Sequence, residues 1–279
     1  MQEPLITVAL PTRDRASYLE VALRSLRRQA TAVPFEVVVV DDGSRDRTQQ
    51  VATELGARVV RLDQGQGLNA ARNRAIEAAA GQLIAFIDDD VRVPPGWISA
   101  LAAGAHRYHE SEAFGGPIRP CIEGDGGRGC GRERPPITTL DLGPEDREAE
   151  MVWGANMAVR REAFDRYGPF DERLGGHGDE EEWLLGLRAA GGRITYLAAA
   201  WLEHRRAPQD ATVLALARAA YARGQAARRT DRRRGCAPST AAELRTLGGC
   251  LGHAVRRRCP QGLIMAAHSL GRVRSALAG

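Results

Sequence analysis

Over the first hundred residues, short apolar runs alternate with stretches whose apolar positions recur every three or four residues. The runs at 6–10, 35–40, 58–62 and 83–87 read as strands. Between them Leu19, Ala22, Leu23 and Leu26 fall at helical spacing, and residues 69–80 make a second, alanine-rich helix. Strands alternating with helices feed a parallel sheet. Val37, Val38, Val39 and Val40 follow one another without polar alternation, as a central strand covered on both faces requires.

From 115 to 150 the pattern gives way to Gly, Pro, Arg and acidic residues, with 124–131 especially poor in apolar side chains, and this stretch reads as a long mobile loop. Order returns at 151–159, followed by a helix from Arg161, a glycine-rich loop at 175–178, a helix over 179–190, a short strand at 194–196 and the segment 201–204. After Asp210 the pattern is helical, with arginines clustered at 232–234 and 256–258. The expected organisation is an α/β domain over 1–208, with a mostly parallel, Rossmann-like central sheet flanked by helices, and a helical, Arg-rich extension over 209–279.

Composition changes this picture little. The formal charge of +4 suggests an anionic partner, yet the 279 residues contain no lysine, and the abundance of Arg, Ala and Gly fits a GC-rich codon bias. Five cysteines (121, 130, 236, 250 and 259) form no CxxC pair and suit a reducing compartment. Neither a secretory signal nor a stretch of about 18 apolar residues is apparent. The expected location is the cytoplasm, with peripheral contact at the inner membrane face as the alternative.

Candidate chemistry begins with Asp88, Asp89 and Asp90, placed directly after the strand Leu83-Ile84-Ala85-Phe86-Ile87. Adjacent carboxylates repel one another unless water or a cation compensates them. Hard divalent ions take oxygen ligands, and open α/β sheets bind ligands at the carboxyl ends of their strands. A second strand end carries Asp41, Asp42, Gly43 and Ser44; Asp42 is placed to accept hydrogen bonds from a base or ribose, while Ser44 or Asp46 can cap the helix beginning near Thr48. The run Gly65-Gln66-Gly67-Leu68-Asn69-Ala70-Ala71-Arg72-Asn73 joins a loop to a helix N-terminus, where backbone N–H groups and the Arg72 guanidinium favour phosphate.

Taken in order, Val8-Ala9-Leu10-Pro11-Thr12-Arg13-Asp14-Arg15, Val40-Asp41-Asp42-Gly43-Ser44, Ala71-Arg72-Asn73, Ile87-Asp88-Asp89-Asp90, the segment from Trp153 to Arg161, Gly168-Pro169-Phe170-Asp171-Glu172 and Gly178-Asp179-Glu180-Glu181-Glu182-Trp183 resemble the inverting family 2 glycosyltransferases of the GT-A fold. The resemblance covers about 6–204. It implies transfer of a sugar from a nucleotide-diphosphate sugar, UDP-sugars favoured, to an acceptor hydroxyl with Mn²⁺ or Mg²⁺. It implies that Pro11, Thr12 and Arg15 line the nucleotide pocket, that Asp42 reads the base, that Asp88 holds the ribose or a metal-bound water, and that Asp90 ligates the metal, with His204 as a further ligand. Gly67, Arg72 and Asp89 complete the donor set, Asp89 mainly as a structural residue.

An inverting displacement needs a carboxylate base, expected in the run 179–182. The family shows Glu then Asp there, and this chain has Asp179 then Glu180. Aligning Gly178 and Trp183 puts Glu180 in the catalytic place, with Asp179 as the competitor. Trp153, Asn156 and Trp183 are the expected acceptor-pocket residues. A nucleotidyltransferase is the first alternative, but it would carry a basic Gly-rich N-terminal loop and an essential lysine. A nucleic-acid-binding protein is the second, but it leaves the carboxylates unexplained and would need aromatic residues that are scarce after Tyr221. For 209–279 the choice lies between a solvated extension and a basic surface that docks on anionic lipid.

Overall fold

The computed structural model describes residues 5–123, 130, 136–174 and 179–278. In chain order the elements are β1 (Ile6–Thr12), α1 (Ala16–Leu26), β2 (Phe35–Asp41), α2 (Thr48–Glu54), β3 (Arg58–Arg61), α3 (Leu68–Ala78), β4 (Leu83–Ile87), β5 (Val91–Arg92), α4 (Trp97–Arg107), β6 (Ala113–Gly115), β7 (Ile118–Ile122), β8 (Arg147–Glu148), β9 (Asn156–Arg160), α5 (Arg161–Tyr167), α6 (Asp179–Ala189), β10 (Ile194–Tyr196), β11 (Leu202–Arg206), α7 (Val213–Arg233), α8 (Thr240–Arg257) and α9 (Pro260–Leu277).

Among the described residues, eight strands pair in the order β3-β2-β1-β4-β9-β6-β10-β8. β3, β2, β1 and β4 run parallel, and so do β6 and β10, while β9 and β8 run against their neighbours. Side chains of a strand alternate between faces, and this sheet has a core on each. Ile6, Val8, Leu10, Val39, Ala85 and Ile87 join one buried cluster with Leu19, Leu23 and Trp97. Ala9, Val38, Val40, Ile84 and Phe86 join the other with Ala71, Ala75, Phe164 and Leu184. The unbroken valine run is therefore apolar because both of its faces are covered.

Parallel pairing also brings chemistry to one edge. Thr12 pairs with Asp41 across β1 and β2, and Ile87 at the end of β4 pairs with Asn156 at the start of the antiparallel β9. The strand ends carrying Thr12, Asp41 and Asp88 and the segment just before β9 thus converge.

The structure corrects the expected loop at 115–150. That stretch contains β7 and β8, and Ile118 forms a β-bridge with Leu140. Most of the apolar-poor run 124–131 lies outside the described residues, as does the glycine-rich loop at 175–178. The helix α4 and strand β6 were not anticipated; β6 is only three residues long, too short for a two-residue period to register.

The chain divides into two compact units, 1–119 with 139–204, and 120–138 with 205–279. The second unit therefore starts before residue 209 and includes a segment that the sequence placed in the first domain. Within it, Thr212 and Ser239 accept hydrogen bonds from the amides of Ala215 and Ala242 and so cap α7 and α8. Ile137, Leu216, Ala220 and Ile264 make a small core. Buried Glu243 takes Arg272 at 2.8 Å and Arg228 at 3.3 Å.

Candidate active site

At the end of β4 the chain leaves the sheet with three carboxylates in succession, and the three are held differently. Asp89 is fixed from β1 and the start of α1: the Thr12 hydroxyl donates to its Oδ2 at 2.7 Å, and Arg15 Nε lies 3.0 Å from its Oδ1. Arg15 Nη2 reaches across to Asp90 Oδ2 at 2.7 Å, and the guanidinium stacks 4.4 Å above the Tyr18 ring. Arg15 therefore serves as a counter-ion for the acidic cluster.

Asp90 turns its other oxygen toward β11, where His204 Nε2 lies 3.1 Å from Oδ1. Both side chains are nearly buried, Asp90 3% exposed and His204 2%. Pairing of His204 with Val91 in the β5–β11 ladder places its backbone beside the residue that follows Asp90. One ligand atom each from Asp88, Asp90 and His204 lies within 4.8 Å of the others. Two carboxylate oxygens and an imidazole nitrogen form a donor set suited to a divalent cation.

The electrostatics point the same way. Burial raises the Asp88 carboxyl above its ordinary range and Asp90 adds to this, while His204 and Arg72 oppose it. Burial pushes Asp89 up to about 7 despite the charge of Arg15 beside it. Carboxylates crowded in this way gain from a shared cation.

A second ion pair stands at the same edge. Arg72, in the second turn of α3, is 2% exposed and donates from Nη1 to Glu180 Oε2 at 3.2 Å. The Gly154 amide donates to Glu180 Oε1 at 3.0 Å. Burial alone would raise the Glu180 carboxyl, but Arg72 and the Gly154 amide hold it below the usual carboxylate range. Both Arg72 and Glu180 act electrostatically on Asp88, which joins them to the acidic cluster.

Gly154 makes this approach possible. A Cβ there would sit 2.1 Å from Arg72 Nη2 and 3.2 Å from the Glu180 carboxyl carbon. Gly154→Ala is therefore expected to separate the pair and to destabilise the fold by about 1–3 kcal/mol, as overpacking does. Urea denaturation checks the loss; an unchanged midpoint would show that the site yields freely.

Asp42 faces the loop before α3. Its Oδ1 and Oδ2 accept from the amides of Gln66 at 2.7 Å and Gly67 at 3.1 Å. Gly67, at φ 100°, leads into the first turn of α3, and Pro11 is buried in β1 opposite Val40. Asp46 accepts from the Thr48 amide at 2.9 Å at the start of α2, whereas Asp41 is fully buried between the Ser44 amide and Arg61.

A family model described as "Glycosyl transferase family 2" matches residues 7–168. The chain belongs to that family. It is 31% identical over 230 residues to validoxylamine A glucosyltransferase of Streptomyces hygroscopicus subsp. jinggangensis, covering 71% of this chain and 54% of that protein. To pre-mycofactocin glycosyltransferase of Mycobacterium tuberculosis it is 30% identical over 211 residues, covering 71% and 42%. The chain thus spans about half the length of these curated relatives.

Among solved structures, the mannosyltransferase from Pyrobaculum calidifontis in complex with GDP-Man and Mn²⁺ aligns with a TM-score of 0.60 at 19% identity, covering 100% of this chain and 74% of that one. S. aureus TarS aligns with a TM-score of 0.55 at 22% identity, covering 77% and 39%. These likenesses show the GT-A fold. The matched family region ends before Glu180 and His204, so the positions of those two residues rest on this chain's own geometry.

Two of the expected acceptor residues have their polar atoms engaged within the protein. Asn156 is 1% exposed, and its amide accepts from Trp97 Nε1 at 3.1 Å while donating to the carbonyls of Ala200 and Pro117. Trp183 packs against Phe164 and Phe170 with ring centroids 4.9 and 5.5 Å away, and donates from Nε1 to the Gly168 carbonyl. Both are interior residues whose polar atoms are already used. Trp153 is half-buried. Asp179 opens α6, and its side chain lies outside the described residues.

The sequence reading missed Gly154 as a partner of Glu180. It also missed Asn69 and Asn73, which donate to the carbonyls of Asp171 and Phe170 and so hold the segment after α5 against α3. The four-residue spacing of the two asparagines on one helix face was the available signal.

Proposed function

We propose that the chain transfers a sugar from a nucleotide-diphosphate sugar to an acceptor hydroxyl with inversion, supported by a divalent cation. The observation that carries this is the meeting of Asp88, Asp90 and His204 with the Arg72–Glu180 pair at one sheet edge of a family 2 chain.

Asp88, Asp90 and His204 would hold the cation, which when bound supplies positive charge to the departing diphosphate. Arg72 adds a fixed cationic group beside the leaving-group phosphates. Arg15 orients Asp89 and Asp90. Glu180, ionised at neutral pH, removes the proton from the acceptor oxygen as that oxygen bonds to the anomeric carbon and the bond from this carbon to phosphate breaks. Attack opposite the departing phosphate inverts the anomeric centre. The test is a thermal-shift screen of nucleotide-sugars, UDP-sugars first, with and without Mn²⁺. A rise in Tm with one donor that needs the cation is expected; a flat response to every donor under both conditions overturns the reading.

Asp42 is assigned to the base or ribose of the donor. Asp42→Ala is expected to raise the nucleotide Kd by about tenfold or more, since a hydrogen bond to a charged group contributes about 1.5–3 kcal/mol. Titration calorimetry reads this, and an unchanged Kd would confine Asp42 to holding the Gln66–Gly67 amides.

Among the described residues no helix is long and apolar enough to cross a membrane. Leu244, Leu251 and Val255 are nevertheless exposed on α8, and their seven- and four-residue spacing puts them on one face. Arginines 256 and 257 stand in its last turn. This face is assigned to anionic lipid near a lipid-linked acceptor. Wild-type protein is expected to sediment with phosphatidylglycerol vesicles and the Leu251→Asp/Val255→Asp protein to stay in solution. Wild-type protein that stays in solution removes the membrane role, and a variant that sediments as wild type does removes this face from it.

A further inference from the structure

The second unit holds a cluster that the transfer chemistry does not use. Sγ of Cys130, a ring nitrogen of His253 and Sγ of Cys259 all lie within 4.8 Å of one another. Cys130 Sγ is 3.6 Å from His253 Nε2. With Zn–S near 2.3 Å and Zn–N near 2.0–2.1 Å, two ligands of one tetrahedral ion stand about 3.6 Å apart. Two sulfurs and an imidazole form a soft donor set, unlike the oxygen-rich cluster at the end of β4.

The backbone builds this cluster from three places. α8 ends at Arg257, and Arg258 takes a left-handed conformation at φ 48°, ψ 41°. That turn lets the Cys259 amide bond back to the Ala254 carbonyl at 3.1 Å, which brings Cys259 beside His253. Cys259 is also the N-cap of the 18-residue helix α9, where the helix dipole favours a negative sulfur. Cys130 arrives from a different segment, 120–138, which is fixed toward its two ends. Arg205 donates to Glu123 at 2.7 and 2.9 Å, Arg223 donates to the Pro136 carbonyl at 2.8 Å, and Ile137 is buried against Leu216 and Ile264.

We propose that Cys130, His253 and Cys259 bind a zinc-type cation that ties the middle of segment 120–138 to the α8–α9 turn. Binding would displace the protons of both thiols and leave a fourth tetrahedral position for water. A metal held by these three residues would cross-link Cys130 to the α8–α9 turn.

The test uses the full chain, kept reduced with a phosphine, stripped with EDTA and titrated with Co²⁺ and then Zn²⁺. Thiolate-bound Co²⁺ gives a near-ultraviolet sulfur-to-metal charge-transfer band; the Asp88, Asp90 and His204 donors give none. The expected result is a band that saturates at one equivalent and is bleached by Zn²⁺. It should be lost in Cys130→Ser and in His253→Ala and retained in Asp90→Ala. Cys130 is exposed, so its serine variant retains the fold and can be read directly. Absence of the band in the reduced wild-type chain, or its survival in both Cys130→Ser and His253→Ala, overturns the proposal. Neither outcome bears on sugar transfer, whose cation site contains no sulfur.

Discussion

Asp90→Ala is expected to reduce sugar transfer to background and to abolish the tightening of nucleotide binding by Mn²⁺. Asp90 is the residue where the site's charges meet, with one oxygen 2.7 Å from Arg15 and the other 3.1 Å from His204. With Asp90 gone, only Asp88 and His204 of the three proposed ligands would remain to hold a divalent ion, which would supply less charge to the leaving diphosphate. Excess EDTA should reproduce the defect in the wild-type enzyme, and full activity in EDTA would refute cation assistance.

The fold should survive the substitution, because the relieved repulsion of Asp88 and Asp89 offsets the lost contacts to Arg15 and His204. In EDTA the Tm of Asp90→Ala is expected to match or exceed that of wild type. The pH dependence in EDTA has a defined sign. Asp88 and Asp89 are raised in the folded chain, Asp89 to about 7, so between their unfolded and folded values the folded state binds more protons. Stability of the cation-free chain therefore falls as pH rises through that window. Saturating Mn²⁺ should remove most of the slope.

The sequence carried the sheet well and the contacts across it poorly, for a physical reason. Strands such as Ile6–Thr12 and Leu83–Ile87 are buried on both faces, so their composition alone marks them. The positions of Asp88 and Asp90 at a strand end and of Arg72 near a helix start were legible, because an apolar run followed by carboxylates and a loop followed by an alanine-rich helix mark those places in the sequence. The pairing of Glu180 with Arg72, 108 positions away, was not legible, nor was the absence of a Gly154 side chain as its condition. The interior contacts of Trp183 and Asn156 were not legible either, because a residue type in a motif does not reveal whether its polar atoms are already bonded. The segment 120–138 lacked the apolar periodicity that would have assigned it to a unit, although Ile122 and Ile137 at its edges pack with the C-terminal helices.

The choice between Asp179 and Glu180 as base is decided by kinetics that separate chemistry from positioning. Glu180 sits one residue inside α6, 8% exposed, with one oxygen bound to the Gly154 amide and the other to Arg72. Each carboxylate oxygen has a second lone pair, so these contacts fix the group without exhausting its capacity to accept a proton. Arg72 and the amide keep it ionised, and kcat should therefore show no acid limb from Glu180 until the pH falls below the ordinary carboxylate range. Glu180→Gln keeps the shape and the bond from Gly154 but removes the base. It is expected to lower kcat by about 10² to 10⁴ with the donor KM little changed. If Glu180 only positioned Arg72 against the phosphates, the same substitution would raise the donor KM instead, and Asp179→Asn would carry the loss in kcat. Measuring both variants with saturating donor and a varied acceptor distinguishes these outcomes, and a Glu180→Gln enzyme with wild-type kcat would transfer the role of base to Asp179.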